Sequence, residues 1–214
     1  MIFDIITIFP NIVEEYINTG IVHNAVKKDL VQINVHDLRK WTDDKHKTVD
    51  DTPYGGGPGM IMKVEPIYKA IQELKKDDTI VAITTPKGKT LIQKDFEDFS
   101  KRESLHMIIL CGRYEGFDQR IHDYLVDYEF SVGDYVLSGG ELPALTLVDG
   151  ITRLIPGVLG NDESLDNESF NDANLEYPQY TKPEDFNGWK VPNILLSGHH
   201  KNIEKYRQKN QKML

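Results

Sequence analysis

His106-Met107-Ile108-Ile109-Leu110 is apolar along nearly its whole length, and Cys111-Gly112-Arg113-Tyr114-Glu115-Gly116 follows it directly. A strand with one wet face alternates apolar and polar residues. One that stays apolar is covered on both faces, as in the parallel sheets of α/β proteins. In open sheets of that kind the ligand crevice lies at the carboxyl ends of the strands, where this glycine-rich turn falls. The neighbouring sequence repeats the arrangement. Upstream, residues 79–84 read as a strand and 90–102 as a helix. Residues 64–75 place Ile67, Ala70, Ile71 and Leu74 on one helical face, and residues 30–36 alternate as a strand. Residues 11–28 read as helical with a break near Gly20, after a β-branched strand Ile2-Phe3-Asp4-Ile5-Ile6-Thr7-Ile8 that stops before Pro10. Downstream come a short helix at 117–124, a short strand at 128–132, and a helix at 141–155 with Leu142, Leu145 and Val148 turned inward. Strand alternating with helix predicts an α/β domain with a mainly parallel sheet. After Pro156 the periodicity stops. Residues 161–183 are acidic and aperiodic, a linker or a functional loop, and a short helix begins near Ser197.

Composition narrows the function. The chain has 214 residues, 39% hydrophobic and 28% charged, enough to bury a core in one large domain or two small ones. No apolar run reaches the roughly 18 residues that span a bilayer. Asp4 stands where a signal peptide carries positive charge, so a cytoplasmic address with no membrane partner is expected. The single cysteine, Cys111, has no internal disulfide partner and reads as a small buried hydrophobe. The net charge of −9 argues against a polyanion partner, but its distribution does not. Residues 161–180 hold six acids and no Lys or Arg. Residues 182–214 hold seven bases (Lys182, Lys190, Lys201, Lys205, Arg207, Lys209, Lys212) against Glu184, Asp185 and Glu204. A local basic patch is what nucleic-acid binding requires, although on charge alone a solvated helix is the plainer reading.

Glycine is concentrated in three places: Tyr54-Gly55-Gly56-Gly57-Pro58-Gly59-Met60, the turn at Gly112 to Gly116, and Ser131-Val132-Gly133-Asp134-Tyr135-Val136-Leu137-Ser138-Gly139-Gly140-Glu141. One such loop is only a tight turn. Three at strand ends form a pocket lined by backbone groups, which glycine lets a ligand approach closely. Thr85-Pro86-Lys87-Gly88-Lys89-Thr90 ends like a phosphate-binding loop, but that motif needs a glycine where Ile83 stands. No G-x-G-x-x-G joins a strand to a helix, no Gly-x-Ser-x-Gly elbow is present, and the seven histidines and lone cysteine show no metal-ligand spacing. Arg153 near the end of the last helix of the first domain, with Glu168 and Asp172 in the loop beyond, suits proton abstraction with charge stabilisation. Exposed loop acids are more often only solvated.

Together these stretches resemble the bacterial tRNA (guanine-N1)-methyltransferases of the TrmD type, in the SPOUT class. The likeness runs from Ile5-Ile6-Thr7-Ile8-Phe9-Pro10 and the segment 48–60, through Cys111 to Gly116 and Val132 to Pro143, to Pro156-Gly157-Val158-Leu159-Gly160, Tyr177-Pro178-Gln179-Tyr180-Thr181 and Leu196-Ser197-Gly198-His199-His200, in family order. The resemblance implies a deep trefoil knot in an α/β domain at 1–160, an acidic linker at 161–183 carrying the base, and a short basic helical domain at 184–214. It implies an obligate homodimer whose active site lies at the subunit interface. It implies S-adenosylmethionine as methyl donor, held by Thr85, Pro86 and Gly88, by Gly112, Tyr114 and Glu115, and by Val132, Gly133, Asp134, Tyr135, Val136, Leu137, Gly139 and Gly140. The implied acceptor is N1 of guanine 37 of tRNA, 3′ of the anticodon and preceded by guanine. Gly55, Gly56, Gly57, Gly59, Asp172, Glu176, His199, Lys201, Lys205 and Arg207 are the residues implied on the tRNA side. A magnesium requirement is not legible, and no metal site is expected. The family's base, an Asp before Ser-Phe, reads Glu168 here, with Asp166 and Asp172 as fallbacks; its Arg before Pro-Gly-Val-Leu-Gly is Arg153. Glu keeps the carboxylate but changes its reach by one methylene, and a displacement of about 1 Å costs on the order of a hundredfold in rate. The linker departs again at Asp172-Ala173-Asn174-Leu175, and the chain stops at Leu214, before the further basic helices usual in the family. The alternative expectation is a relative that binds tRNA or donor and has lost catalysis. A knotted methyltransferase for another RNA is disfavoured by the intact Tyr-Gly-Gly-Gly-Pro-Gly-Met stretch.

Overall fold

Strand β1 (Ile2–Thr7) is buried from Phe3 onward. This computed structural model describes residues 1–160, 169–170 and 174–213. After β1 come α1 (Pro10–Ile17), α2 (Gly20–Lys27), β2 (Gln32–Asp37) and a 3₁₀ turn (Leu38–Trp41). Pro10 opens α1, where its missing N–H costs nothing. Gly20, at φ 65°, splits the helical stretch in two, since that backbone angle is strained for any residue with a Cβ. The chain continues through β3 (Asp50–Asp51), β4 (Ile61–Met62), α3 (Val64–Leu74), β5 (Thr79–Thr90), α4 (Gln93–Ser100), β6 (His106–Cys111), α5 (Gln119–Tyr124), β7 (Tyr128–Ser131) and α6 (Glu141–Thr152). Beyond it lie β8 (Asn174–Leu175), β9 (Asp185–Phe186), β10 (Trp189–Lys190), α7 (Asn193–Leu196), α8 (His200–Asn210) and β11 (Lys212–Met213).

Five strands form one parallel sheet in the order β2-β1-β6-β5-β7. Side chains alternate across it. Phe3, Ile5, Met107 and Ile109 pack on one face with Val13 of α1, Ala25 of α2, and Leu147, Val148 and Ile151 of α6. Ile6, Val81, Ile83, Ile108 and Leu110 pack on the other with Ile67, Ala70 and Ile71 of α3 and Ile121 of α5. All of β6 is buried, as its unbroken apolar run requires. Asp4 of β1 and His106 of β6 bring polar side chains into this sandwich. Asp4 accepts hydrogen bonds from His36 and His106 (2.6 Å each) and from Asn34 (2.9 Å), and His106 Nδ1 meets the Thr79 hydroxyl at 2.7 Å. Burial alone would raise the Asp4 pKa; the three hydrogen bonds outweigh it and lower the carboxyl to about 2.

Three expectations change. The helix read at 90–102 is α4, Gln93–Ser100, because Lys89 and Thr90 pair with Phe130 and Ser131 in the sheet and the Asp95 carboxylate caps the helix at Ile92 N. The helix read at 141–155 ends at Thr152, and Leu142 is 60% exposed instead of inward. The buried stripe of α6 runs through Glu141, Ala144, Leu145, Val148, Ile151 and Thr152; Leu142 sits one step around the helix, in line with Thr146, Asp149 and Arg153. The helix read from Ser197 begins at His200.

The chain divides into two compact units, Met1–Gly160 and Asn161–Leu214. In the second, β8 pairs antiparallel with β11 and β9 with β10. Among the described residues, no helix is long and apolar enough to cross a membrane.

Candidate active site at the carboxyl edge of the sheet

The first straight part of β5 ends at Thr84, β6 at Cys111 and β7 at Ser131, all at one edge of the sheet. The loops leaving these three strand ends make the site. Strand β5 leaves its ladder after Thr84 and rejoins at Lys89, so that Phe130 is paired twice and residues 85–88 stand out as a four-residue excursion. Gly88 ends the excursion against β7. A Cβ there would lie 2.5 Å from the Glu129 carbonyl carbon, so only glycine lets the two backbones meet. After β6 the chain turns sharply through Tyr114 at φ 59° and Gly116 at φ 106°. A tyrosine held in the left-handed region is costly and is a common mark of a functional loop.

These loops enclose a cavity of about 290 Å³. Its wall is built from residues 84–87, 112–117, 130–132, 135–140, and from Gln119, His122 and Pro143. The segment 138–140 lies across the ends of β5 and β6. Gly140 N donates to Gly112 O (2.8 Å), and the Thr84 hydroxyl donates to Gly140 O (3.2 Å). A Cβ on Gly140 would fall 2.6 Å from Gly112 N and 2.9 Å from Cys111 Cα. Cys111 itself is buried, which pushes its thiol pKa well up and leaves it a packing residue. His122 closes one side of the cavity, its Nδ1 2.9 Å from Glu129 Oε1.

A matching model of the tRNA (Guanine-1)-methyltransferase TrmD family covers residues 1–213. The chain belongs to this family. A tRNA (guanine-N(1)-)-methyltransferase of Dictyoglomus turgidum is 52% identical over 206 residues, 96% of this chain and 83% of that protein. Proteins of the same name from Lachnospira eligens and Geobacter sp. strain M21 are each 49% identical, over 97% and 99% of this chain and 88% and 85% of their own lengths.

Of the residues expected around the donor, Thr85, Pro86, Gly112, Tyr114, Glu115, Val132, Tyr135, Val136, Leu137, Gly139 and Gly140 line the cavity. Gly88, Gly133 and Asp134 do not; they shape the loops behind it. Unforeseen wall residues include Arg113, Phe117, His122, Phe130 and Pro143. Arg113 and Phe117 adjoin the glycine motif in sequence, but nothing local in the sequence turns His122 toward it. The glycine loop at residues 55–59 stands beside the cavity without lining it. It is anchored through Met60 and Met62, which exchange backbone hydrogen bonds with Glu115, Gly116 and Asp118, and a Cβ on Gly59 would strike Glu115 Cγ at 2.4 Å. Gly55, Gly56 and Gly57 have positive φ and open space around them, and Tyr54 before them is fully exposed.

Arg153 lies elsewhere. It caps the C-terminus of α6, in a separate hollow of about 430 Å³ with Tyr16, Gln93, Phe96, Leu142, Leu145, Thr146, Asp149 and Gly150. The Tyr16 hydroxyl donates to Asp149 at 2.6 Å, a bond that pushes the Tyr16 pKa up to about 12. Pro143 faces the first cavity while its neighbour Leu142 faces this hollow. In the second unit Glu176, His199, Lys201, Lys205 and Arg207 are all exposed, and Arg207 stacks 4.9 Å over Tyr177. Glu168, Asp166 and Asp172 lie outside the described residues. Among the described residues no group of three His, Cys, Asp or Glu side chains is arranged to hold a metal ion.

Proposed function

We propose that this chain transfers the methyl group of S-adenosylmethionine to N1 of guanine 37 in tRNA, 3′ of the anticodon and preceded by guanine. The observation that carries the reading is the cavity at the sheet edge, walled by the loops that leave β5, β6 and β7, the last two of them glycine-rich and tied together at Gly112 and Gly140. Its volume of about 290 Å³ is near the lower end for sites that enclose a small molecule. Phe130, Val132, Leu137 and Pro143 offer apolar wall for a purine ring, and the loop backbones and Glu115 offer polar groups. These residues fit the donor. Relatives named for the same reaction at 49–52% identity add support.

The donor, when bound, supplies an electrophilic methyl on sulfur. The acceptor nitrogen must first be freed, because N1 of neutral guanine carries a proton. Glu168 takes that proton as general base. Arg153 meets the negative charge that develops toward O6. Lys201, Lys205 and Arg207 hold tRNA phosphates, with Gly55, Gly56, Gly57, Gly59, Asp172, Glu176 and His199 on the tRNA side.

On this reading the domain is knotted, and the close packing of residues 138–140 on Thr84 and Gly112, with no space for a Cβ at Gly140, supports it. The enzyme is a homodimer with a shared site. Arg153 sits in a hollow apart from the cavity of its own chain, and Val136, Leu137 and Leu142 leave apolar surface exposed between the two. It works in the cytoplasm, where its tRNA is found. The test is nucleoside analysis of tRNA incubated with protein and donor, with light scattering of the same sample. The expected result is 1-methylguanosine and a dimer. A different methylated base overturns the reaction, and a monomer at micromolar concentration overturns the shared site. A relative that binds without catalysis gives donor binding and no methylated base.

A further inference from the structure

Glu141 opens α6 and is only 1% exposed. A carboxylate this deep is strongly destabilising without partners. Its Oε1 accepts from the Thr7 hydroxyl at 2.6 Å and from Arg113 Nε at 3.2 Å. Its Oε2 lies 2.8 Å from Arg113 Nη2, an ion pair in which no donor is aligned on that oxygen as a hydrogen bond. Arg113 is held from three further directions. Its Nη1 donates to the Ser138 carbonyl at 3.1 Å. The Phe9 ring lies against the guanidinium, 4.5 Å from centroid to carbon. Phe9 is in turn fixed by its own N–H donating to Thr7 Oγ1 at 2.9 Å. On the loop side, a Cβ at Gly139 would fall 2.2 Å from Arg113 Nε, so the segment lies directly on the guanidinium.

The circuit therefore joins the end of β1, the turn after β6 and the start of α6, with Thr7 and Glu141 134 positions apart in sequence. Arg113 and Ser138 line the cavity; Thr7, Phe9 and Glu141 do not. We propose that Glu141 is a positioning residue for the methyl donor. With Thr7 it fixes Arg113, Arg113 fixes the Ser138 carbonyl, and the segment 135–140 is thereby held in the shape that receives the donor. Glu141 has a second effect through the same contact. S-adenosylmethionine carries a net positive charge, and an Arg in the cavity wall repels it unless the guanidinium is neutralised. The buried carboxylate supplies that neutralisation at short range. The inference rests on the reading of this cavity as the donor site.

The test measures binding of S-adenosylmethionine and of its neutral demethylated product, S-adenosylhomocysteine, to the full chain by calorimetry. Glu141→Gln keeps the side-chain shape and removes the charge. Affinity for the cationic donor should fall about tenfold, and for the neutral product only about threefold, with KM for tRNA unchanged. Thr7→Val removes only the hydroxyl strut and should weaken both ligands equally, by about threefold, with Thr7→Ser restoring affinity. Equal losses of both ligands in Glu141→Gln together with a raised KM for tRNA would mark general damage and overturn the proposal. So would wild-type affinities in Glu141→Gln and Thr7→Val. If Glu141→Gln does not fold, the Thr7 pair decides: wild-type binding in Thr7→Val overturns the strut, and a loss repaired by serine supports it. Failure of the wild-type chain to bind either ligand overturns the donor-site reading, and this inference with it.

Discussion

The carboxyl edge of the parallel sheet and helix α8 both serve as candidate contacts for a substrate, and they are built in opposite ways. At the sheet edge the wall combines glycine-rich loop backbone with apolar side chains such as Phe130, Val132 and Leu137. The ends of β5, β6 and β7 are tied to one another, and Arg113 in the wall is paired with Glu141, which is enclosed behind it. Helix α8 has no buried residue, and Lys201, Lys205 and Arg207 are all exposed, Arg207 against the Tyr177 ring. A rigid backbone cradle recognises one small molecule by shape and hydrogen-bond pattern. An exposed row of cations recognises a polyanion by charge, with little demand on geometry. The two regions should therefore respond to different perturbations.

The largest effect is expected in the chain segment that joins them in sequence. Glu168→Gln should lower kcat by about a hundredfold to ten-thousandfold while donor affinity stays unchanged, as read by single-turnover methyl transfer and calorimetry. Unchanged turnover removes Glu168 from the mechanism. Next, Gly140→Ala should reduce donor affinity by about ten- to a hundredfold with tRNA affinity retained, because the added methyl meets the backbone of Gly112 and Cys111. The reciprocal change, Lys201, Lys205 and Arg207 all to Ala, should weaken tRNA binding by about tenfold at moderate salt and reduce the salt slope by about three, leaving donor affinity unchanged. Coupling of either variant to the other ligand breaks the division of labour. The smallest effect is on stability alone. The folded Asp4 carboxyl is lowered to about 2 from 3.8, so ionisation favours the folded state. That contribution, roughly 2 kcal/mol, is present in full above pH about 4 and is lost as pH falls through about 2. Asp4→Asn should flatten this acid limb in urea unfolding between pH 5 and pH 2, with donor affinity at neutral pH unaltered.

The same contrast explains what could be read in the sequence. The buried strands and the glycine turns were legible because apolar runs and glycine carry their meaning locally. Met107 to Leu110 is buried on both faces, and the turns after Cys111 and Ser131 meet at one cavity. The phase of α6 is ambiguous in the sequence because eight of its twelve residues are buried, so more than one stripe satisfies the apolar count and Leu142 falls on the wrong one. The extension of β5 through Thr90 was missed because Pro86 and Gly88 punctuate it; the strand resumes only by pairing with β7. The enclosure of Glu141 was illegible, since an acid in the first turn of a helix is ordinarily a surface residue, and its partner Thr7 is far away in sequence. Arg153 is marked only weakly by its place before the acidic loop and more firmly by the family resemblance, and its hollow, apart from the sheet-edge cavity, emerges only from the packing of Tyr16 and Phe96 on α6.

The central claim is that the sheet-edge cavity serves methyl transfer to one guanine of tRNA. Its most direct test uses labelled S-adenosylmethionine and two tRNA transcripts, one with guanine at position 37 after guanine, the other with adenine at position 37. The account predicts label in the first transcript and none in the second. Label in both, or in neither at high enzyme concentration, would contradict it.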